Sequence, residues 1–202
     1  MNQSAYWENK WSRRPLEPAN NFARRAYKLI QTKKLKTLLD LGCGDGRDAV
    51  YFFNKGLKVT AMDSLAAGIN KLVKRAPGVR AIVGDIRNIK GKSDSFDIVY
   101  AHASLHYFDD STTTKIFNNL HTILKKGGIL FVKCKSTDDK LFGHGKKIGE
   151  NIYLETHIRH FFTKKYLAKK LESFKIIKLR KTSSVYLDHK SSFAVDNNKR
   201  LP

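Results

Sequence analysis

The chain is poor in cysteine: two among 202 residues, Cys43 and Cys134. Two cysteines build no disulfide framework, and these stand in no zinc-like spacing. A reduced, cytoplasmic setting is the simplest one for such a sequence. Long apolar runs are also missing, so no stretch approaches the ~18 residues of a membrane-spanning helix. The opening residues, Met-Asn-Gln-Ser-Ala-Tyr-Trp-Glu, lack the basic-then-apolar order of a secretory leader. Acidic residues are scarce: 18 Asp and Glu face 39 Lys and Arg, a formal net charge of +21. That excess suits a polyanionic partner such as RNA. It is spread along the whole chain, however, mostly between apolar helix positions, which favours a solvated lysine-rich surface. Internal repeats, low-complexity blocks and linkers are missing too. The length and the 41% hydrophobic content fit one folded domain with a sizeable core.

The most informative stretch is residues 38–48, Leu-Leu-Asp-Leu-Gly-Cys-Gly-Asp-Gly-Arg-Asp. It reads as a strand, a glycine turn and the start of a helix. Glycines let the backbone pass close to a ligand, and the helix N-terminus offers unpaired N–H groups. A dinucleotide fingerprint is Gly-x-Gly-x-x-Gly. Here the turn is Gly-x-Gly-x-Gly, and Arg47 stands where the third glycine would be. Asp40 lies two residues before Gly42, inside the strand. A carboxylate there repels a pyrophosphate and suits an ammonium.

Around this stretch the pattern alternates between strand and helix. Residues 4–11 form a short helix with Trp7 and Trp11 on one face. A second helix, over residues 18–31, turns Phe22, Ala23, Ala26 and Ile30 inward and Arg24, Arg25 and Lys28 outward. Strands are expected at 37–41, 57–62, 79–83, 96–100 and 129–133. Helices are expected at 48–55, at 64–76 with Leu65, Ile69, Leu72 and Val73 inward, and from a Ser111 cap to Lys126. Gly127 and Gly128 would stop the last of these. Residues 136–160 read as a long polar loop, the kind that usually carries function. A Thr163-capped helix, a strand at 174–179, a short strand at 191–195 and a polar tail from 196 complete the chain. Such alternation predicts a parallel sheet with right-handed crossovers and a crevice off the strand C-termini. Asp40, Asp63, Asp85 and His102 all fall near strand ends.

The pattern Asp40-x-Gly42-x-Gly44-x-Gly46 resembles motif I of the class I S-adenosylmethionine-dependent methyltransferases. The resemblance covers about residues 35–195. It implies an α/β, Rossmann-like, doubly wound seven-stranded sheet, mostly parallel with an antiparallel last strand. The whole chain would be one domain: an N-terminal arm or lid (1–34), a cofactor core (35–135), a substrate-side loop (136–162) and a C-terminal helix and strands (163–195). By the resemblance, Asp40, Gly42 and Gly44 meet the methionine part of S-adenosyl-L-methionine. Asp63, about 20 residues past the first glycine, holds the ribose; Asp85 and Ile86 meet the adenine. Backbone at Ala101 and His102 lies beside the sulfonium. Trp7, Trp11 and Arg47 also resemble the tellurite-resistance and thiopurine methyltransferase branch.

The acceptor half is assigned to a lid of Tyr6, Trp7, Trp11 and Tyr107. Aromatic faces attract a sulfonium. His106, His157 and His160 are the candidate general bases for an O or N acceptor; a sulfur acceptor would need none. His157, His160 and Glu155 form no known ligand signature, so no metal is expected. The Asn/Asp-Pro-Pro-aromatic motif of many nucleic-acid and protein amino-methyltransferases is missing after the fourth strand. So is a cysteine pair suited to cytosine C5 chemistry. The expected activity is methyl transfer to a small, anionic molecule. An RNA or ribosome modifier is the alternative enzyme, and a cofactor-binding scaffold or sensor the non-enzyme one. No oligomeric state follows from the sequence.

Overall fold

The computed structural model describes residues 3–13, 15, 17–89, 93–182 and 192–200, with backbone only at 3, 4, 10 and 192–200. Two helices open it, α1 (Gln3–Arg13) and α2 (Asn21–Ile30). Asn20 caps α2 by accepting the N–H groups of Phe22 and Ala23 at 2.8 and 2.9 Å. Then strands and helices alternate: β1 (Thr37–Leu41), α3 (Arg47–Asn54), β2 (Lys58–Asp63), α4 (Ala66–Arg75), β3 (Arg80–Val83), β4 (Phe96–His102), α5 (Asp110–Ile123) and β5 (Leu124–Lys135). Three short strands follow, β6 (Lys146–Gly149), β7 (Ile152–Leu154) and β8 (Ile158–His160). The chain finishes with α6 (Lys164–Lys170), β9 (Phe174–Thr182) and β10 (Ser192–Arg200).

Among the described residues, seven strands hydrogen-bond in the order β3-β2-β1-β4-β5-β10-β9. The first five are parallel, and β10 runs antiparallel to both β5 and β9. Strand order reverses between β1 and β4, which makes their C-terminal ends the switch point where such sheets open a crevice.

Alternation along the strands sorts the core into two layers. Leu39, Leu41, Val99, Leu130 and Val132 face α5 and α6, meeting Ile116, Phe117, Leu120, Leu167 and Leu171. Leu38, Ile98, Tyr100, Ile129 and Phe131 face the other way, onto Phe22, Ala26, Ala49, Phe52 and Leu72. Asp40 shares the Leu38 face, so the strand carries its carboxylate towards α2 and α3. No described helix is long and apolar enough to cross a membrane.

Several local expectations are corrected. The 136–160 segment is not an open loop, because β6, β7 and β8 form a separate antiparallel sheet. The fifth helix ends at Ile123, not Lys126, and Leu124 already pairs with Phe96. Gly127 and Gly128 sit inside β5, where the register with β4 shifts. A Cβ at Gly128 would come within 3.0 Å of the Asp97 carbonyl, so the strand can bend there only with glycine. Asp109, not Ser111, caps α5 by accepting the Thr112 N–H at 2.7 Å. Val73 is 45% exposed because α4 buries Gly68, Ile69 and Leu72 instead. Residues 196–200 continue β10 rather than trailing as a tail. Ser191 lies outside the described residues.

Candidate functional site

A cavity of about 1170 Å³ opens over the C-terminal ends of the parallel strands. Its floor is the glycine turn after β1. Gly42 and Gly44 hold φ values of +69° and +57°, which side-chain-bearing residues rarely adopt. A Cβ at Gly42 would collide with Ser104, and one at Gly44 would stand 2.5 Å from the Trp11 indole. Ser104 itself donates to the Leu41 carbonyl at 2.6 Å, which ties the turn after β4 to the end of β1.

Asp40, Asp63 and Asp85 all line the cavity. Asp40 is only 2% exposed, and its Oδ2 has no hydrogen-bond partner among the described residues. Burial, reinforced by the nearby Asp48 and Asp63 carboxylates, pushes its carboxyl well above the usual range. Asp63 closes the turn: it accepts the Gly44 N–H at 2.8 Å and the Leu65 N–H at 3.1 Å. Burial raises its pKa as well, against those two bonds. Asp85 starts a short 3₁₀ turn (Ile86–Asn88) and is clamped by Arg87, whose hydrogen bond holds it below the usual range. Ile86 lies on the cavity wall beside it.

A brace joins this floor to α2. The Asp48 carboxylate accepts the Asn20 N–H at 3.0 Å, the Asn20 side-chain amide and the Tyr100 hydroxyl at 2.9 Å. Asn20 therefore caps α2 and fixes it to α3 and β4 at once. Arg47 pairs with Glu17 in the same corner.

Helix α1 roofs the cavity. Glu8 accepts the Ala67 N–H at 3.2 Å, which pins α1 to the start of α4. Trp7 stacks on Trp11 at 6.3 Å and meets Tyr107 and His157 at 5.2 and 5.5 Å. Tyr6 and Tyr107 each lie 5.3 Å from His157. The four residues expected as a lid do line one cavity, together with His157 from the small sheet.

The three expected bases separate. His106 lines the cavity at 1% exposure, and its Nδ1 accepts the Lys135 N–H at 3.4 Å. Burial and the neighbouring Lys135 charge hold its pKa well below the usual value. Its Nε2 has no hydrogen-bond partner among the described residues. His157 also lines the cavity, with Thr156 Oγ1 2.8 Å from its Nδ1. His160 does not line it. It packs on Phe162 and Tyr166 at 4.8 and 4.6 Å, and burial pushes its pKa down to about 4.

Two further expectations move. Ala101 is fully buried against the α5 side, and Ala103 and Ser104 line the cavity in its place. His102 does line it, packed against Phe22 and Tyr100. Gly44 lies beneath Trp11 rather than on the wall. Arg25, expected to point outward, lines the cavity with Lys133. Lys133, at the end of β5, could have been picked out by its place after the fifth strand. Arg25 carries no such signal, since it looks like any cation beside an apolar helix stripe.

Comparison with known proteins agrees with this geometry. Residues 38–128 match the family model described as a methyltransferase domain. An uncharacterized methyltransferase of Synechocystis is 27% identical over 92 residues, 46% of this chain and 43% of that protein. A trans-aconitate 2-methyltransferase of Deinococcus radiodurans is 30% identical over 120 residues, 58% of this chain and 45% of that protein. These matches cover less than half the length of each relative. Among solved structures, a SAM-dependent methyltransferase of Methanosarcina mazei superposes with a TM-score of 0.78 at 19% identity, over 92% of this chain and 100% of that one. A Burkholderia thailandensis 1,6-didemethyltoxoflavin-N1-methyltransferase, crystallised with S-adenosylhomocysteine, gives 0.72 at 18%, over 98% and 82%. These two likenesses bear on the fold. Residues 38–128 thus resemble a methyltransferase domain, and the curated relatives they match are methyltransferases by name.

Proposed function

We propose that this protein transfers a methyl group from S-adenosyl-L-methionine to a small molecule. One observation carries the reading: Asp40 is a buried carboxylate with an unpartnered oxygen, aimed into a cavity at the sheet's switch point. A buried acid without a cation is costly. An ammonium group placed there would relieve it. In this reading Asp40 and the turn at Gly42 and Gly44 hold the amino-acid end. Asp63 keeps acceptor lone pairs for ribose hydroxyls beyond its two backbone bonds. Asp85 and Ile86 flank the base. When bound, the cofactor supplies an already activated sulfonium methyl.

The chain's own share is orientation and exclusion of water. Trp7, Tyr6, Tyr107 and His157 wall the middle of the cavity with ring faces, suited to a cationic centre. The His106 Nε2–H orients an acceptor atom by donating to it. The roof of α1 and the β6–β8 sheet encloses the acceptor end, which fits a small molecule better than a folded RNA. Two relatives named above act, by their names, on small molecules. The narrower likeness to the tellurite-resistance and thiopurine branch rests on Trp7, Trp11 and Arg47.

Calorimetric titration with S-adenosylmethionine and S-adenosylhomocysteine tests the reading. Both should bind, and Asp63→Ala should weaken both. A folded protein that binds neither would overturn it.

A further inference from the structure

Arg25 from α2, Arg47 from α3 and Lys133 from β5 line the cavity, as do Asp40, Asp48, Asp63 and Asp85. Lys133 lies opposite His102 in the β4–β5 register. His102 packs on Phe22 at 5.9 Å, and the Arg25 guanidinium lies 6.0 Å from the Phe22 ring.

Arg47 pairs with Glu17. Asp48 acts on Lys133 and also accepts from Asn20 and Tyr100. The Arg25 Nε is buried and has no hydrogen-bond partner among the described residues. Burial, then Arg25 and Arg47, press the Lys133 ammonium down to about 8; Asp48 opposes them and Arg180 adds to them. Like charges gathered at a half-buried wall repel one another, and an anion between them would relieve that repulsion.

We propose that Arg25 and Lys133 form an anion site for the methyl acceptor, which carries a carboxylate or phosphate group there. The inference rests on the methyltransferase reading above and names its substrate class. The Arg25 fork suits a two-oxygen grip, and Lys133 supplies a point charge. Held there, the acceptor lies along the cavity with its anion at the basic wall and its far end towards the aromatic walls.

The test uses protein saturated with S-adenosylhomocysteine. It is titrated by calorimetry with inorganic phosphate and, separately, with acetate, succinate and citrate at constant ionic strength. At least one should bind saturably. Arg25→Gln and Lys133→Gln should each weaken that binding about 10- to 100-fold, the value of a charge-assisted hydrogen bond. Arg25→Lys should recover part of the loss. Lys28→Gln, on the exposed face of α2, should change nothing. Phosphate binding alone assigns a phosphate, carboxylate binding alone a carboxylate. If S-adenosylhomocysteine binds but no anion saturates, or the Gln variants match wild type, the inference falls and the methyltransferase reading stands. If S-adenosylhomocysteine does not bind the wild-type protein, both fall.

Discussion

The Trp11 indole lies directly on Gly44, so close that one added methyl group would stand 2.5 Å from its ring. The N-terminal roof and the glycine turn are thus one packed unit. Gly44→Ala should disrupt both. The positive φ costs about 1–2 kcal/mol for an L-residue, and the ring must also move. We expect weaker S-adenosylhomocysteine binding and a shifted tryptophan emission. Trp11→Ala should shift emission without the backbone cost, so its loss of thermal stability should be smaller than that of Gly44→Ala.

Asp40 should trade stability against ligand binding. Its pKa is raised in the folded state, so folding takes up protons between the unfolded and folded values, and stability falls as pH rises through that window. Asp40→Asn removes the ionisable group. The ligand-free variant should therefore melt higher at neutral pH, by roughly 2–4 °C for each 1 kcal/mol gained. It should also show a flatter pH dependence above pH 4 and bind S-adenosylmethionine poorly. Melting curves across pH, with and without ligand, check both halves.

His106 should stay neutral across the range in which an unperturbed histidine titrates. Nitrogen-15 spectra of labelled protein should show Nε2 protonated and Nδ1 bare through that range. A titration with a midpoint near 6.5 would return His106 to the role of base.

Asp97 should act as an acid-sensitive staple. It accepts the Lys36 and Thr37 N–H groups at 3.0 and 2.8 Å, the Thr37 hydroxyl at 2.8 Å and the Lys125 ammonium at 2.9 Å. Burial alone would raise its pKa, but Lys125 and these donors outweigh it and bring it to about 2. A depressed carboxyl pKa contributes stability above the unfolded value of about 3.9 that is lost as pH falls towards 2. Asp97→Asn should cost about 1.5–3 kcal/mol at neutral pH. Between pH 4 and pH 2 it should lose less stability than wild type, a difference denaturant titrations would read.

Much of the cavity's glycine floor and its acids is legible in the chain because short sequence distance sets it. Leu38 and Leu39 alternate faces, Asp40 precedes the glycines by two, and Asp63 ends the next strand. Each is local geometry. The other walls depend on packing between distant segments. Arg25 became a wall residue only because α2 lies across the ends of β4 and β5, and no helix periodicity reports that. The β6–β8 sheet was hidden because strands of three or four residues fall below any periodic signal. The α5–β5 junction was misplaced because two glycines read as a helix stop, when they serve a bend in a strand.

The position of β10 bears on how the domain comes together during synthesis. This strand is made after β9 yet lies between β5 and β9. Until residues 192–200 leave the ribosome, β5 and β9 each present an unpaired edge, the kind of surface that recruits other chains. The half of the sheet that holds the glycine turn can pair at once, while the other half must keep a slot open. Shortening this chain from its C-terminal side should therefore bring aggregation well before it touches any residue of the cavity floor.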